Sequence, residues 1–354
     1  MASPAIPHIG TLPAGERNAI SDVAGVTAGH ATLDDAAASV HTGVTVVRPH
    51  AKSPYLHRVP AGVAVLNGFG KSVGLMQVEE LGVLESPIAL TNTFAVPAVA
   101  RAQIRQCIAA HPECGRGWPT LNPLVLECND GWLNDIQRMA VGEAHYLDAW
   151  NQADAVFAQG AVGAGRGMSC HGLKGGIGTA SRRAAGWTVG ALVLANQGRP
   201  GQLAIAGLPV GHRLRQAEPA APELGSIILL LATDAPLDAR QLRRLALRAG
   251  VGLARTGSVF GHGSGDIALA FSTAYTLPLR PSEPMPAVTL LHDARLDDLF
   301  QAAADGVEQA ILHALWHART LAGRDSHVRH ALAERIAGWP ADTFTRDLLP
   351  PPPP

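Results

Sequence analysis

The chain has 354 residues, enough to bury one large hydrophobic core or two ordinary ones. Apolar residues make up 47% and charged residues 16%, and the formal net charge is −1, which leaves no electrostatic footprint for nucleic acid or an anionic membrane. No stretch reaches the roughly 18 apolar residues that span a bilayer, no basic segment followed by an apolar one opens the chain, and four cysteines without a CxxC pair read as reduced, buried thiols of a cytoplasmic protein.

Short strands are expected over residues 18–33 and 40–49, and another over 61–70 that ends in a Gly-rich bend. Val73, Met76, Val78 and Leu81 predict a helix over 71–84. A strand over 86–93 precedes a helix over 96–111, whose apolar stripe is Val99, Ile104, Cys107 and Ile108. Residues 120–136 read as a strand running into an acidic turn. Residues 160–182 hold eight glycines, which predicts tight turns. Strands at 188–200 and 203–211 flank a turn. A helix over 234–257 takes Asp234 as cap and Pro236 in its first turn, with Leu242, Leu245, Ala246, Ala249 and Leu253 on one face. A strand over 264–274 and a long helix over 296–321, with Leu299, Ala303, Val307, Ile311 and Leu315 inward, complete the set. The proline run at 349–354 reads as a disordered tail. Mixed strands and helices without repeat or linker predict α/β or α+β layers in a single domain.

Several motifs fail on context. "GAVGAGRG" has dinucleotide-like glycine spacing, yet the stretch after Gly178 reads as a strand, not the required helix. "GLKGGIGT" does not fit a P-loop. His313 and His317 stand four apart on a helix but lack a carboxylate ligand, so no metal or other cofactor is expected. "GHGSG" (261–265) spells a nucleophile elbow at Ser264, but an elbow serine follows a strand and opens a helix. Here the apolar strand "DIALAF" comes after it.

One serine stands out. In "PAAPELGSIILLLATDAP" a Pro/Ala loop ends at Gly225, Ser226 comes next, and an unbroken apolar run from Ile227 to Ala232 begins at once. A turn serine explains this locally.

Longer blocks give it another meaning. "NAISDVAGVTAGH", "HTGVTVVRP", "TNTFAVP", "NDGWLNDI", "GAVGAGRGM", "KGGIGTASR", "ANQGR", "LAIAGLPVG", "GSIILLLATDAPL" and "RTGSVFGHGSGDIALAFSTA" run through nearly the whole chain. With them the chain resembles the L-aminopeptidase/D-esterase and β-aminopeptidase family of self-processing, N-terminal-nucleophile-like serine hydrolases. Nylon-oligomer hydrolases are a more distant resemblance and an alternative, as is a G-x-S-x-G esterase using Ser264.

The resemblance implies a four-layer αββα sandwich that cuts itself at Gly225–Ser226. Residues 1–225 and 226–354 would then be the two subunits of one domain, associated as αβ pairs in a homo-oligomer, a tetramer. Ser226 would be the new N-terminus and nucleophile. A free α-amine, of pKa about 7.7–8.0, can serve as its base. Asn196 of "ANQGR" takes the position of the oxyanion donor. Ser264 and Asp266 take those of a second hydroxyl and an acid, which alternation along a strand would turn toward Ser226. Trp132 stands where relatives carry Tyr or Phe in the substrate cleft. Asp130, or Glu127, would pair with the ammonium of a small peptide, amide or ester.

Overall fold

The computed structural model describes residues 4–214 and 225–344. The proline tail at 349–354 lies outside the described residues. Its strands are β1 Thr27–Asp35, β2 Val40–Arg48, β3 His57–Gly68, β4 Val83–Leu84, β5 Ile88–Asn92, β6 Leu124–Cys128, β7 Ser169–Cys170, β8 Leu173–Lys174, β9 Gly176–Ala184, β10 Trp187–Ala195, β11 Ile227–Thr233, β12 Gly265–Ser272, β13 Leu277–Pro278, β14 Leu321–Ala322 and β15 Val328–Arg329. The helices are α1 Leu75–Leu81, α2 Val96–Ala110, α3 Glu143–Asn151, α4 Gly211–Leu214, α5 Ala239–Arg255, α6 Asp297–Trp316 and α7 Leu332–Arg335.

Two sheets stack face to face. One has four strands in the order β1-β2-β5-β6, and the other runs β13-β3-β12-β11-β10-β9, with β4 on β3. Val47, Leu90 and Leu126 of the smaller sheet meet Leu192, Leu230 and Leu269 of the larger between them. The outer face of the larger sheet packs Leu229, Leu231 and Ala268 under Leu242 and Leu245 of α5 and Leu299 and Val307 of α6. The outer face of the smaller sheet packs Val44, Val46 and Val125 under Val99 of α2 and Tyr146 of α3. The layers are therefore helix, sheet, sheet, helix, the αββα order that the resemblance implied.

The unbroken apolar run at 227–232 has its reason in this arrangement. Strand β11 lies inside the larger sheet, antiparallel to β10 and parallel to β12. Ile228, Leu230 and Ala232 face the other sheet, while Ile227, Leu229 and Leu231 face the helices. With both faces buried, the alternation of a half-buried strand disappears.

Some elements differ from the sequence expectations. Residues 20–22 form a 3-10 turn, and β1 starts only at Thr27. Helix α1 stops at Leu81 because Gly82 takes a left-handed φ of 65° and leads into β4. Residues 203–211 form no strand; an isolated Ile205–Leu208 bridge leads into α4. In α2, Ile104 and Ile108 are exposed, and Gln103 is buried in their stead. Its amide bonds the Pro87 and Leu124 carbonyls and the Leu124 N–H, so it satisfies backbone that an isoleucine could not. Helix α5 is capped by Asp238, not Asp234: the carboxylate accepts from Gln241 N at 2.7 Å and the Gln241 side chain accepts from Asp238 N. Helix α3 had no sequence counterpart.

The Gly-rich segment is held by a buried lysine. Lys174 is fully enclosed. Its Nζ donates to the carbonyls of Gly165, Met168 and Gly175 at 3.0, 2.7 and 2.8 Å. Desolvation pushes its pKa well below the ordinary lysine value. The segment then enters β9, not a helix, so it forms neither a dinucleotide loop nor a P-loop. Lys174→Met leaves three buried carbonyls without this donor. Unfolding free energy should fall by about 3 kcal/mol or more, read from urea midpoints. An unchanged midpoint would show that the segment needs no bracket.

Candidate active site

Ser226 is the residue before β11 and is 5% exposed. Its carbonyl accepts from Asn196 N at 3.1 Å, which extends the β10–β11 ladder by one step. Its Oγ accepts from Gly265 N at 3.0 Å, across the parallel pairing of β11 with β12. Backbone on both sides therefore fixes the hydroxyl.

Gly225 is required by space. A Cβ there would lie 1.8 Å from the Asn196 carbonyl oxygen and 3.1 Å from Gln197 Cα. Its φ is not left-handed, so what glycine provides is close backbone approach. The scissile peptide predicted at 225–226 thus lies pressed onto the end of β10.

Asn196 is oriented on both ends of its amide. Its Oδ1 accepts from Ser169 N at 2.7 Å, and its Nδ2 donates to the Asn129 carbonyl at 2.9 Å. Among the described residues Nδ2 has this one acceptor, so one of its two hydrogens is left for another.

Ser264 and Asp266 are both buried, and Ser264 Oγ donates to Asp266 Oδ1 at 2.6 Å. The residue between them, Gly265, supplies the N–H to Ser226. Alternation along the strand was expected to turn both side chains to Ser226; the direct hydrogen bond to its hydroxyl comes from the intervening backbone. Asn67 of β3 secures this turn by donating to the carbonyls of Gly261, His262 and Ser264. Ser264 is enclosed and opens a strand, so it is no nucleophile elbow.

Acidic groups gather beside this frame. Glu127, at the end of β6, accepts from Lys71 N at 2.7 Å and from the Thr93 hydroxyl. A Cβ on Gly70 would lie 3.6 Å from Glu127 Oε1 and 3.7 Å from Gly265 Cα, which sets Glu127 close to the Ser226 support. The Cys128 thiol is fully buried, and its pKa is pushed well above the usual value by desolvation and then by the charges of Glu127, Asp266 and Asp130.

Asp130 faces elsewhere. It is fully buried and accepts from Asn134 Nδ2 at 3.0 Å. Burial pushes its pKa up to about 6, held back by polar contacts to Thr42, Asn134 and Asn92. Trp132 is 44% exposed, and its ring stacks on that of His327 at 3.9 Å and 4°. A cavity of about 580 Å³ lies by β1 and α3 and takes none of these residues. Among the described residues no group of three or more His, Cys, Asp or Glu could hold a metal ion.

Residues 18–329 match the sequence model of peptidase family S58. The chain belongs to that family. It is a hydrolase of peptide or amide bonds, with the layered α/β fold described above. A beta-peptidyl aminopeptidase BapA from Sphingosinicella xenopeptidilytica is 36% identical over 367 residues, which cover 96% of this chain and 89% of the relative. A solved Burkholderia sp. beta-aminopeptidase has a TM-score of 0.86 at 42% identity and covers 93% of this chain and 94% of its own. The L-aminopeptidase D-Ala-esterase/amidase of Ochrobactrum anthropi, described as a prototype for the serine aminopeptidases and a new variant among the Ntn hydrolase fold, has a TM-score of 0.86 at 37% identity. It covers 93% of this chain and 95% of its own.

Sequence reasoning missed Asn67, whose side-chain amide holds backbone carbonyls, and Ser169, which acts through its backbone N–H; Cys128 read only as one of four buried thiols. Asn67 in "LNGFG" was legible only as a Gly-rich bend.

The raised Asp130 pKa gives a signed expectation. The folded value, about 6, lies above an unfolded value of about 3.9, so the folded state keeps a proton that the unfolded chain releases. Its contribution is full below about pH 4 and is lost as pH rises through about 6. Relative to Asp130→Asn, the parent chain should lose stability across that window in urea titrations. Parallel curves for the two proteins would contradict the shift.

Proposed function

We propose that this S58 member is a self-processing serine aminopeptidase that cuts its own Gly225–Ser226 bond and then uses Ser226 as N-terminal nucleophile. The observation that carries it is the convergence on one hydroxyl: Gly225 pressed on Asn196, Ser226 Oγ held by Gly265 N, and the Ser264–Asp266 pair astride that glycine.

In the cut, Ser226 Oγ attacks the Gly225 carbonyl carbon, and its proton passes to the leaving amide nitrogen. The acyl group moves from nitrogen to oxygen, and water hydrolyses the ester. Gly225 becomes a carboxylate and Ser226 gains an α-amine. The fragments 1–225 and 226–354 stay together because β11 and β12 of the second lie between β10 and β3 of the first. Losing β11 would bare both neighbours' ladders.

In turnover, the Ser226 amine takes the Oγ proton as Oγ attacks the substrate carbonyl. The free Asn196 Nδ2 hydrogen meets the developing oxyanion. Ser264 and Asp266 orient the nucleophile and balance the ammonium. The ammonium passes its proton to the leaving amine or alcohol as the substrate bond breaks, and water then hydrolyses the Ser226 ester to release the acyl group. Glu127, buried like Asp130 but with its carboxylate on the side of the Gly265 support, is the better anchor for a substrate ammonium. Substrates are small peptides, amides or esters with a free amine. The tetramer of cut pairs follows from the resemblance, and the cytoplasmic setting from four buried cysteines that form no disulfide among the described residues. Among the described residues no helix is long and apolar enough to cross a membrane.

Kinetics on an aminoacyl p-nitroanilide test the assignment. Ser226→Ala should be inactive, and Ser264→Ala and Asp266→Asn should each lose about 10²–10⁴-fold in kcat. Acetylating the substrate amine should cost about 1.5–3 kcal/mol of transition-state stabilisation, and Glu127→Gln should shrink that difference. Parent-like kcat in both Ser264→Ala and Asp266→Asn, or equal rates on free and acetylated substrates, would refute it.

A further inference from the structure

Three consecutive carbonyls after β6 are captured by one distant segment. Arg324 Nε donates to Gly131 O at 2.6 Å. His327 Nδ1 lies 2.9 Å from Trp132 O, and since a carbonyl only accepts, Nδ1 carries the hydrogen. Arg324 N donates to Leu133 O at 2.9 Å. The segment is the β14–β15 hairpin, closed by Leu321↔Arg329 and Ala322↔Val328 pairing. It presses close: a Cβ on Gly323 would lie 2.2 Å from Leu133 O. The His327 ring stacks on Trp132, and the Arg329 guanidinium is 4.7 Å from the Trp132 ring centroid. Asp325 and Ser326, neither a glycine, hold left-handed φ values of 53° and 59° between these donors. The fold tolerates that strain to set Arg324 and His327 in place.

The captured loop leads to the nucleophile. Its first residue, Asn129, gives the carbonyl that accepts from Asn196 Nδ2 at 2.9 Å, and its Oδ1 accepts from Gly131 N at 2.8 Å. Gly131 is therefore tied to Asn129 on one side and to Arg324 on the other. We propose that residues 321–329 are a positioning strap for catalysis: Arg324 and His327 fix the 129–133 loop, whose Asn129 carbonyl aims the Asn196 amide at the oxyanion. The inference rests on Asn196 being the oxyanion donor. Arg324 and His327 touch no reacting atom and act through Asn129. A purely architectural hairpin would support stability but would leave the amide's aim, and hence kcat, unchanged.

A double-mutant cycle on the purified enzyme separates these roles. Arg324→Ala should lower kcat about tenfold or more, within the roughly hundredfold that an ångström of misplacement can cost. KM should change little, and Arg324→Lys, which still reaches Gly131 O, should recover most of the loss. His327→Phe, which keeps the stack on Trp132 but loses the donor, should lower kcat by a smaller factor. In an Asn196→Ala background neither Arg324→Ala nor His327→Phe should lower kcat further, since the group they aim is gone. If Arg324→Ala does not fold, the His327→Phe cycle carries the same test. Equal fractional losses in both backgrounds, or unchanged kcat in the single variants, would overturn the strap alone. Parent-like kcat in Asn196→Ala would overturn the oxyanion assignment and the strap's role with it.

Discussion

Strand β11 is buried on both faces, and the site depends on that burial. Its neighbours are β10 on one side and β12 on the other, so the residue that enters it cannot shift along the strand without breaking two ladders. A one-residue slip would exchange Ile228, Leu230 and Ala232 for Ile227, Leu229 and Leu231 between the two core layers. The register therefore fixes Ser226 opposite Asn196 and beside Gly265. A serine whose carbonyl and hydroxyl are each held by strand backbone has the rigid placement that a nucleophile needs.

The polar groups around it arise from the same stacking. The two sheets bring the end of β6 against the ends of β10 and β12, so Glu127, Cys128 and Asn129 arrive beside Asn196 and Asp266. Carboxyls in so dry a place need donors. Glu127 receives Lys71 N and Thr93, Asp266 receives Ser264, and Asp130 receives Asn134. An acidic, partly desolvated site suits a substrate that brings its own ammonium.

The sequence carried much of this, unevenly. Long periodic elements were legible: the inward stripes of α5 and α6 are buried as spacing predicts. The Gly225–Ser226 junction and the Asn196, Ser264 and Asp266 positions stood out because whole blocks matched a family, whereas local spacing alone gave only turns. What stayed hidden depends on tertiary partners. Gln103 displaced two isoleucines from the α2 core because it satisfies two backbone strands at once. Asp130 was expected to meet a substrate ammonium and is enclosed. The resemblance put Trp132 in the substrate cleft, and its ring also stacks on a hairpin from nearly two hundred residues later, a pairing no local pattern announces.

The central claim is that the active enzyme carries Ser226 as a free N-terminus. Intact-mass analysis with N-terminal sequencing of purified, active protein tests it directly. The expected result is two chains, residues 1–225 and a second that begins at Ser226, and a single uncut chain for Ser226→Ala. Full activity from an intact chain, or a second chain beginning at Ser258 or Ser264, would contradict it.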